Sequence, residues 1–194
     1  MTLQTDSPKQ KFIGTALRLF SDRGFYGASL ADVAAELGLT KQSILYHFKT
    51  KEALYGAVLA DVAQRFDTII DEVLQQDHRG EKKLHVFLER LFEHARLAPY
   101  DGRLIARELL DNLDRVESSR KWYLKTFLDK SVSLLAEVPR WRYRTEAEQT
   151  AATYQLIGAV SYFTISEPTL EAIWGTQKLE DTRNVFISTL LLRL

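Results

Sequence analysis

Apolar residues recur at three- and four-residue intervals along nearly the whole chain, and no stretch alternates as a half-buried strand does. The first such segment, "SPKQKFIGTALRLFSDRG", places Phe12, Ile13, Ala16, Leu19 and Phe20 on one face. Ser7 suits the N-cap, Pro8 the first turn, and Gln10 the far corner of a capping box. Gly24 is expected to stop this helix. In "SLADVAAELG", Ser29 caps, Asp32 follows three on, Leu30, Val33, Ala34 and Leu37 face inward, and Gly38 ends the run. Thr40 then caps a short third helix that reaches Phe48. Thr50 caps a fourth, free of proline from Lys51 to Gln76, in which Gly56 is only a mild weakness.

After the polar loop "QQDHRGEKK" the periodic segments lengthen. Helices are predicted over residues 81–98, 102–113, 117–138, 145–166 and 178–194, with stops at Pro99, Pro139 and Pro168. Leu84, Phe87, Leu88, Leu91 and Phe92 line the first of these. The expected fold is all-α with about nine helices: an N-terminal three-helix bundle over residues 1–52, then a larger helical domain over 53–194. Segment 145–166 is apolar nearly all round. Ala147, Ala151, Tyr154, Gly158, Ser161, Tyr162 and Ile165 form one stripe, and Leu156, Ala159, Val160 and Phe163 another. Two apolar faces exceed what a surface helix of a monomer needs. One is expected to cover the chain's own core and the other a second copy of it. Tyr154, Gly158 and Tyr162, with Phe186 and Leu190 of the last helix, are the predicted contacts of a two-fold dimer.

Composition changes this picture little. The 194 residues are 45% hydrophobic and 27% charged, which suits one large or two small soluble domains. Net charge is zero, but residues 1–51 hold seven basic against four acidic residues, so this part is +3 and the remainder −3. Absence of cysteine excludes disulfides, thiolate metal sites and a cysteine nucleophile. The polar start "MTLQTDSPKQK" lacks the apolar run of a signal peptide, and no stretch approaches the ~20 apolar residues of a membrane helix. A cytoplasmic protein is expected. His78, His85 and His94 fit no metal-ligand spacing, and there is no HExxH, so neither a metal nor a cofactor is expected.

The chemistry concentrates in "GLTKQSILYHFKTKE". A glycine-ended helix, the turn "LGLT" with Leu39 as its plug, and a capped helix anchored by Ile44 and Phe48 make a helix-turn-helix. The outward face then carries Lys41, Gln42, Ser43, Tyr46 and His47. Lys41, Gln42 and Ser43, near the helix start, are the candidates for reading base edges. Ser29, Thr40, Tyr46, His47, Thr50 and Lys51 are the candidates for holding phosphates, helped by the free N–H groups that open the fourth helix. Ser43 and His47 are also four apart, the spacing of a nucleophile beside its base. No orienting acid follows at a matching position and no GxSxG occurs, so an enzyme is not expected.

The run "ALRLFSDRGFYGASLADVAAELGLTKQSILYHFKTKEALYGAVL" resembles the DNA-binding domain of TetR-family transcriptional regulators over roughly residues 9–60. The pattern "LF..RGF...S...VA...G", the turn, and "YHF..KE.L" carry the likeness in order. It departs from the commonest family pattern at Gln42, where glycine is frequent, and at Leu45, where tyrosine is. The resemblance implies a repressor that binds a palindromic operator on double-stranded DNA as a homodimer and is released by a small-molecule effector. It implies core and turn packing for Phe25 and Tyr26. It also implies an effector pocket in the helical remainder, for which Phe87, Leu91, His94, Glu108, Asn112, Trp122 and Tyr154 are candidates. The alternative is a helical ligand-binding or interaction module that has lost DNA binding.

Overall fold

The computed structural model describes residues 7–111 and 123–192. Nine α-helices and no strand occur among them: α1 (Pro8–Gly27), α2 (Leu30–Glu36), α3 (Lys41–His47), α4 (Lys51–Leu74), α5 (Gly80–Leu97), α6 (Pro99–Asp111), α7 (Lys125–Ala136), α8 (Glu146–Trp174) and α9 (Thr176–Leu191). None is long and apolar enough to cross a membrane. Packing divides the chain into two compact units, one of residues 1–64 with 100–123, the other of residues 65–99 with 124–194. This division by contact differs from the division by role at residue 52, because the start of α4 and all but the first residue of α6 pack into the N-terminal unit.

In the first unit, Phe12, Ala16, Leu19, Phe20, Val33, Ala34 and Ile44 are fully withdrawn from solvent, as their spacing predicts. Ser7 Oγ accepts the Gln10 N–H at 3.3 Å, but the Gln10 amide reaches Asp61 at 3.0 Å instead of closing a capping box. Gly24 interrupts α1 at φ 72°, ψ 173°, and one further turn carries the helix to Gly27. The α2 box is complete: the Asp32 N–H donates to Ser29 Oγ at 3.2 Å and the Ser29 N–H to the Asp32 carboxylate at 2.8 Å. The Ser29 hydroxyl, and then its backbone N–H, hold the Asp32 carboxyl below the usual aspartate range. A depressed carboxyl stabilises the fold above the unfolded-state value. This cap therefore persists at neutral pH and is lost only as strong acid protonates Asp32.

Gly38 closes α2. Its N–H donates to Ala35 O at 3.0 Å and that of Leu39 to Ala34 O at 2.9 Å, the two bonds of a Schellman turn. The turn needs φ +66° at Gly38, and nothing lies within 4 Å of where a Cβ would stand. Gly38→Ala therefore costs conformation alone, about 1–2 kcal/mol, which a urea midpoint will read. Leu39 is 46% exposed and plugs nothing; only its backbone serves the turn. Tyr26 is likewise exposed, whereas Phe25 is buried against Phe20 and Tyr55.

Helix α6 grips the end of α1. Arg107 donates to Ser21 O at 2.7 Å and Asp22 O at 2.8 Å, which satisfies carbonyls left open before the Gly24 break. Arg103 pairs with Asp22 at 2.9 Å, and the Ser21 hydroxyl donates to Tyr100 O at 2.8 Å. Gly56, the expected weakness in α4, leaves room for the Tyr123 hydroxyl, which lies 3.0 Å from where its Cβ would stand.

In the second unit, α5, α7, α8 and α9 enclose a core that includes Phe87, Leu88, Leu91, Phe127, Leu134, Leu156 and Val160. Segment 145–166 does not stop before Pro168. Helix α8 runs on through that proline to Trp174 and ends at Gly175, φ +82°. Proline removes only its own bond to the Thr164 carbonyl, and the flanking turns hold. Arg183 donates to both Glu167 oxygens, at 2.9 and 2.7 Å, which ties α9 beside that stretch.

Candidate nucleic-acid interface

Helix α3 is held by its apolar side. Ile44 is buried completely and Phe48 almost so, and both N-caps of the site are made by threonine. Thr40 Oγ1 accepts the Ser43 N–H at 3.4 Å, and Thr50 Oγ1 accepts the Ala53 N–H at 3.1 Å. Capping uses an acceptor lone pair, so a hydroxyl proton is left to donate. Thr50 stands at the start of a 24-residue helix, where the aligned peptide dipoles favour an anion.

The outward face agrees with the sequence reading in placement. Lys41, Gln42, Tyr46 and His47 are exposed and Ser43 is partly so. Tyr46 stands 86% exposed, with its ring edge-on to His47 at 5.2 Å. The His47 ring also lies 5.6 Å from Phe12, and the Ser43 hydroxyl lies 3.2 Å from that of Thr40. Each partner of the Ser43–His47 spacing thus has other company. Ser29 is exposed, but its hydroxyl donates to Asp32 at 2.6 Å, so its proton is already engaged. Lys51 is half-buried, with its ammonium 4.4 Å from the centre of the Phe25 ring. That cation–π contact fixes the stem beside the N-terminus of α4. Lys9, which sequence reasoning did not single out, sets its ammonium 5.9 Å from the Phe48 ring.

The residues expected around an effector scatter. Phe87 and Leu91 are core residues of the second unit, and His94 joins them through Phe66 and Phe127, with ring separations of 5.3 Å for Phe66–His94 and for Phe66–Phe127. Glu108 belongs to the first unit, where it is buried and accepts the Tyr55 hydroxyl at 2.6 Å; this hydrogen bond joins α6 to α4. Tyr154 is 60% exposed and faces outward, so it does not line an internal cavity. Asn112 and Trp122 lie outside the described residues. Of the expected dimer contacts, Tyr154, Gly158 and Tyr162 are exposed on α8 in one row with Ile165, while Leu156, Val160 and Phe163 are buried. Leu190 and Phe186 are half-buried against the core, and Phe186 stacks on Phe163 at 4.3 Å. Among the described residues no cluster of three or more His, Asp or Glu is placed to hold a metal.

Comparison with known proteins places this geometry. Residues 12–58 match the family model described as bacterial regulatory proteins, tetR family. The HTH-type transcriptional regulator RutR of Escherichia coli (strain K12) is 24% identical over 167 residues, covering 86% of this chain and 78% of that protein. Two solved structures share the fold across nearly all of both chains. One is the fatty acid degradation regulator FadR of Bacillus halodurans, with TM-score 0.71, 17% identity and 97% of each chain covered. The other is the FadR of Bacillus subtilis in complex with stearoyl-CoA, with TM-score 0.71 and 16% identity, covering 94% of this chain and 97% of that one.

Proposed function

As this chain belongs to the tetR family of bacterial DNA-binding transcriptional regulators, we propose that it acts as a repressor, a homodimer that holds a palindromic operator until a small-molecule effector releases it. Residues 1–52 read DNA and residues 53–194 bind effector and partner. The observation that carries this reading is the start of α3. Lys41 and Gln42 stand exposed at the N-terminal end of a helix whose other side is locked by Ile44, Phe48 and the Gly38 turn. Lysine donates to guanine and glutamine pairs with both groups of adenine, so this end reads bases in a major groove. Ser43 assists there, and Thr40, Tyr46, His47, Thr50 and Lys51 fix register on phosphates. The Ser29 proton is committed to Asp32, so Ser29 contributes only at the cost of that bond.

The exposed row of Tyr154, Gly158, Tyr162 and Ile165 supports the second copy. A two-fold dimer on DNA puts its recognition helices in successive major grooves, about 34–36 Å apart. The effector occupies the aromatic interior around Phe66, Phe87, Leu91 and His94, and the protein works in the cytoplasm as a regulator, not a catalyst. Acyl-CoA thioesters belong in any effector panel, since the Bacillus subtilis FadR structure holds stearoyl-CoA. The test is selection of duplexes from a random pool, repeated with that panel. An inverted repeat with half-sites about 10–10.5 base pairs apart, lost with one effector, is expected. A pool without enrichment would sink the reading in favour of a module without DNA binding.

A further inference from the structure

We propose that the turn between α7 and α8, with the start of α5 and the end of α9, forms a binding site for a small amphipathic anion: an organic carboxylate with an apolar body. This turn reads "PRWRYR", arginine alternating with aromatic residues from Arg140 to Arg144. It is folded firmly. The Trp141 N–H donates to Val138 O at 2.9 Å, the Arg144 N–H to Trp141 O at 3.0 Å, and the Gln149 amide to Trp141 O at 2.9 Å. Gly80, at φ +55°, brings the start of α5 against Pro139, whose Cδ lies 3.4 Å from where a Cβ would stand.

Two clefts open on this turn and share Arg140 and Trp141. The first, about 320 Å³, has apolar walls from Leu84, Val138 and Leu191 and a cationic rim from Lys82 and Arg140, with Glu81 the acid of its lining. The second, about 490 Å³, passes Arg144 and Glu148 toward Ala151 and Ala152 on α8. Volumes of this order hold small ligands. Neighbouring cations are already matched: Lys83 lies 3.7 Å from Glu137 and Arg144 3.5 Å from Glu148, while the His85 ring lies 3.1 Å from Glu89. Lys82 and Arg140 make no ion pair among the described residues. The Trp141 indole N–H is buried without an acceptor. Unmatched charge and an apolar wall occur together here, which is the composition a carboxylate with a hydrocarbon body requires. The planar guanidinium of Arg140 takes both carboxylate oxygens, Lys82 adds charge at the mouth, and the body lies along Leu84, Val138 and Leu191.

The site is independent of DNA binding and is tested without DNA. Octanoate is titrated into the full chain, followed by calorimetry and by the Trp141 indole N–H resonance, identified with Trp141→Phe. Saturable binding that moves this resonance is expected, and the exposed Arg140→Gln change should weaken it about tenfold or more. Arg142→Gln removes the same charge beside the clefts and should leave binding unchanged. Equal binding by wild type and Arg140→Gln would overturn the proposal. So would an equal loss in Arg142→Gln, equal binding of octan-1-ol, or the same resonance shift from inorganic phosphate alone.

Discussion

Replacing Phe20 with alanine lowers the stability of the first unit by about 3–5 kcal/mol and takes specific DNA binding with it. Phe20 is fully buried, and its ring meets the Tyr55 ring edge-on at 4.9 Å and the Phe25 ring at 6.2 Å. The cavity would open in the cluster on which the functional side chains depend. Tyr55 holds Glu108 of α6, and Phe25 carries the Lys51 ammonium on its face. Losing the central ring therefore loosens α6 and Lys51 together, besides forfeiting apolar burial. Urea unfolding monitored by circular dichroism will show the loss. Tyr26→Ala, six residues on at an 81% exposed position, is the contrast and should stay within about 0.5 kcal/mol of the parent.

Gln42→Ala and Lys51→Ala weaken operator binding in different ways. Gln42 is exposed beside the N-cap of α3, where a side chain reaches base edges. Its loss should cost about 1–3 kcal/mol against the selected operator and little against unrelated DNA, so discrimination falls at one base position. Lys51 is pinned over Phe25 beside the N-terminus of α4, where we place a phosphate, and a phosphate contact carries no sequence information. Its loss should weaken all duplexes alike and lower the slope of log affinity against log salt by about one. Anisotropy titrations at several salt concentrations separate the two patterns. A uniform loss from Gln42→Ala would move that residue to the backbone.

The helix-turn-helix was legible because its determinants are local. Caps at Ser29, Thr40 and Thr50, the glycine turn at Gly38 and the apolar period through Ile44 and Phe48 all act within a few residues of chain, and the structure reproduces each of them. Where a residue's partner is distant in sequence, periodicity carries no information about it. Gln10 seemed a capping residue but bonds to Asp61, 51 positions away. Glu108, a candidate for the effector pocket, instead accepts a hydrogen bond from Tyr55, 53 positions away. Arg103 and Arg107, four apart on α6, hold the end of α1, and their spacing was the available signal. Pro168 misled because a helix with packed neighbours tolerates one missing bond that an isolated helix does not. Of the two apolar faces of α8, the one with Leu156, Val160 and Phe163 is buried in the chain's own core as expected, and the other stands exposed, where we propose a second copy packs.

The measurement that bears most directly on the central claim is fluorescence anisotropy of the selected duplex against a scrambled duplex at one fixed, near-physiological salt concentration. The account predicts that the selected duplex binds about a thousandfold more tightly or better, and that Lys41→Ala with Gln42→Ala removes most of this preference while the protein stays folded. Equal affinity for both duplexes, or a preference untouched by the double change, would contradict the assignment of α3 as the reading helix.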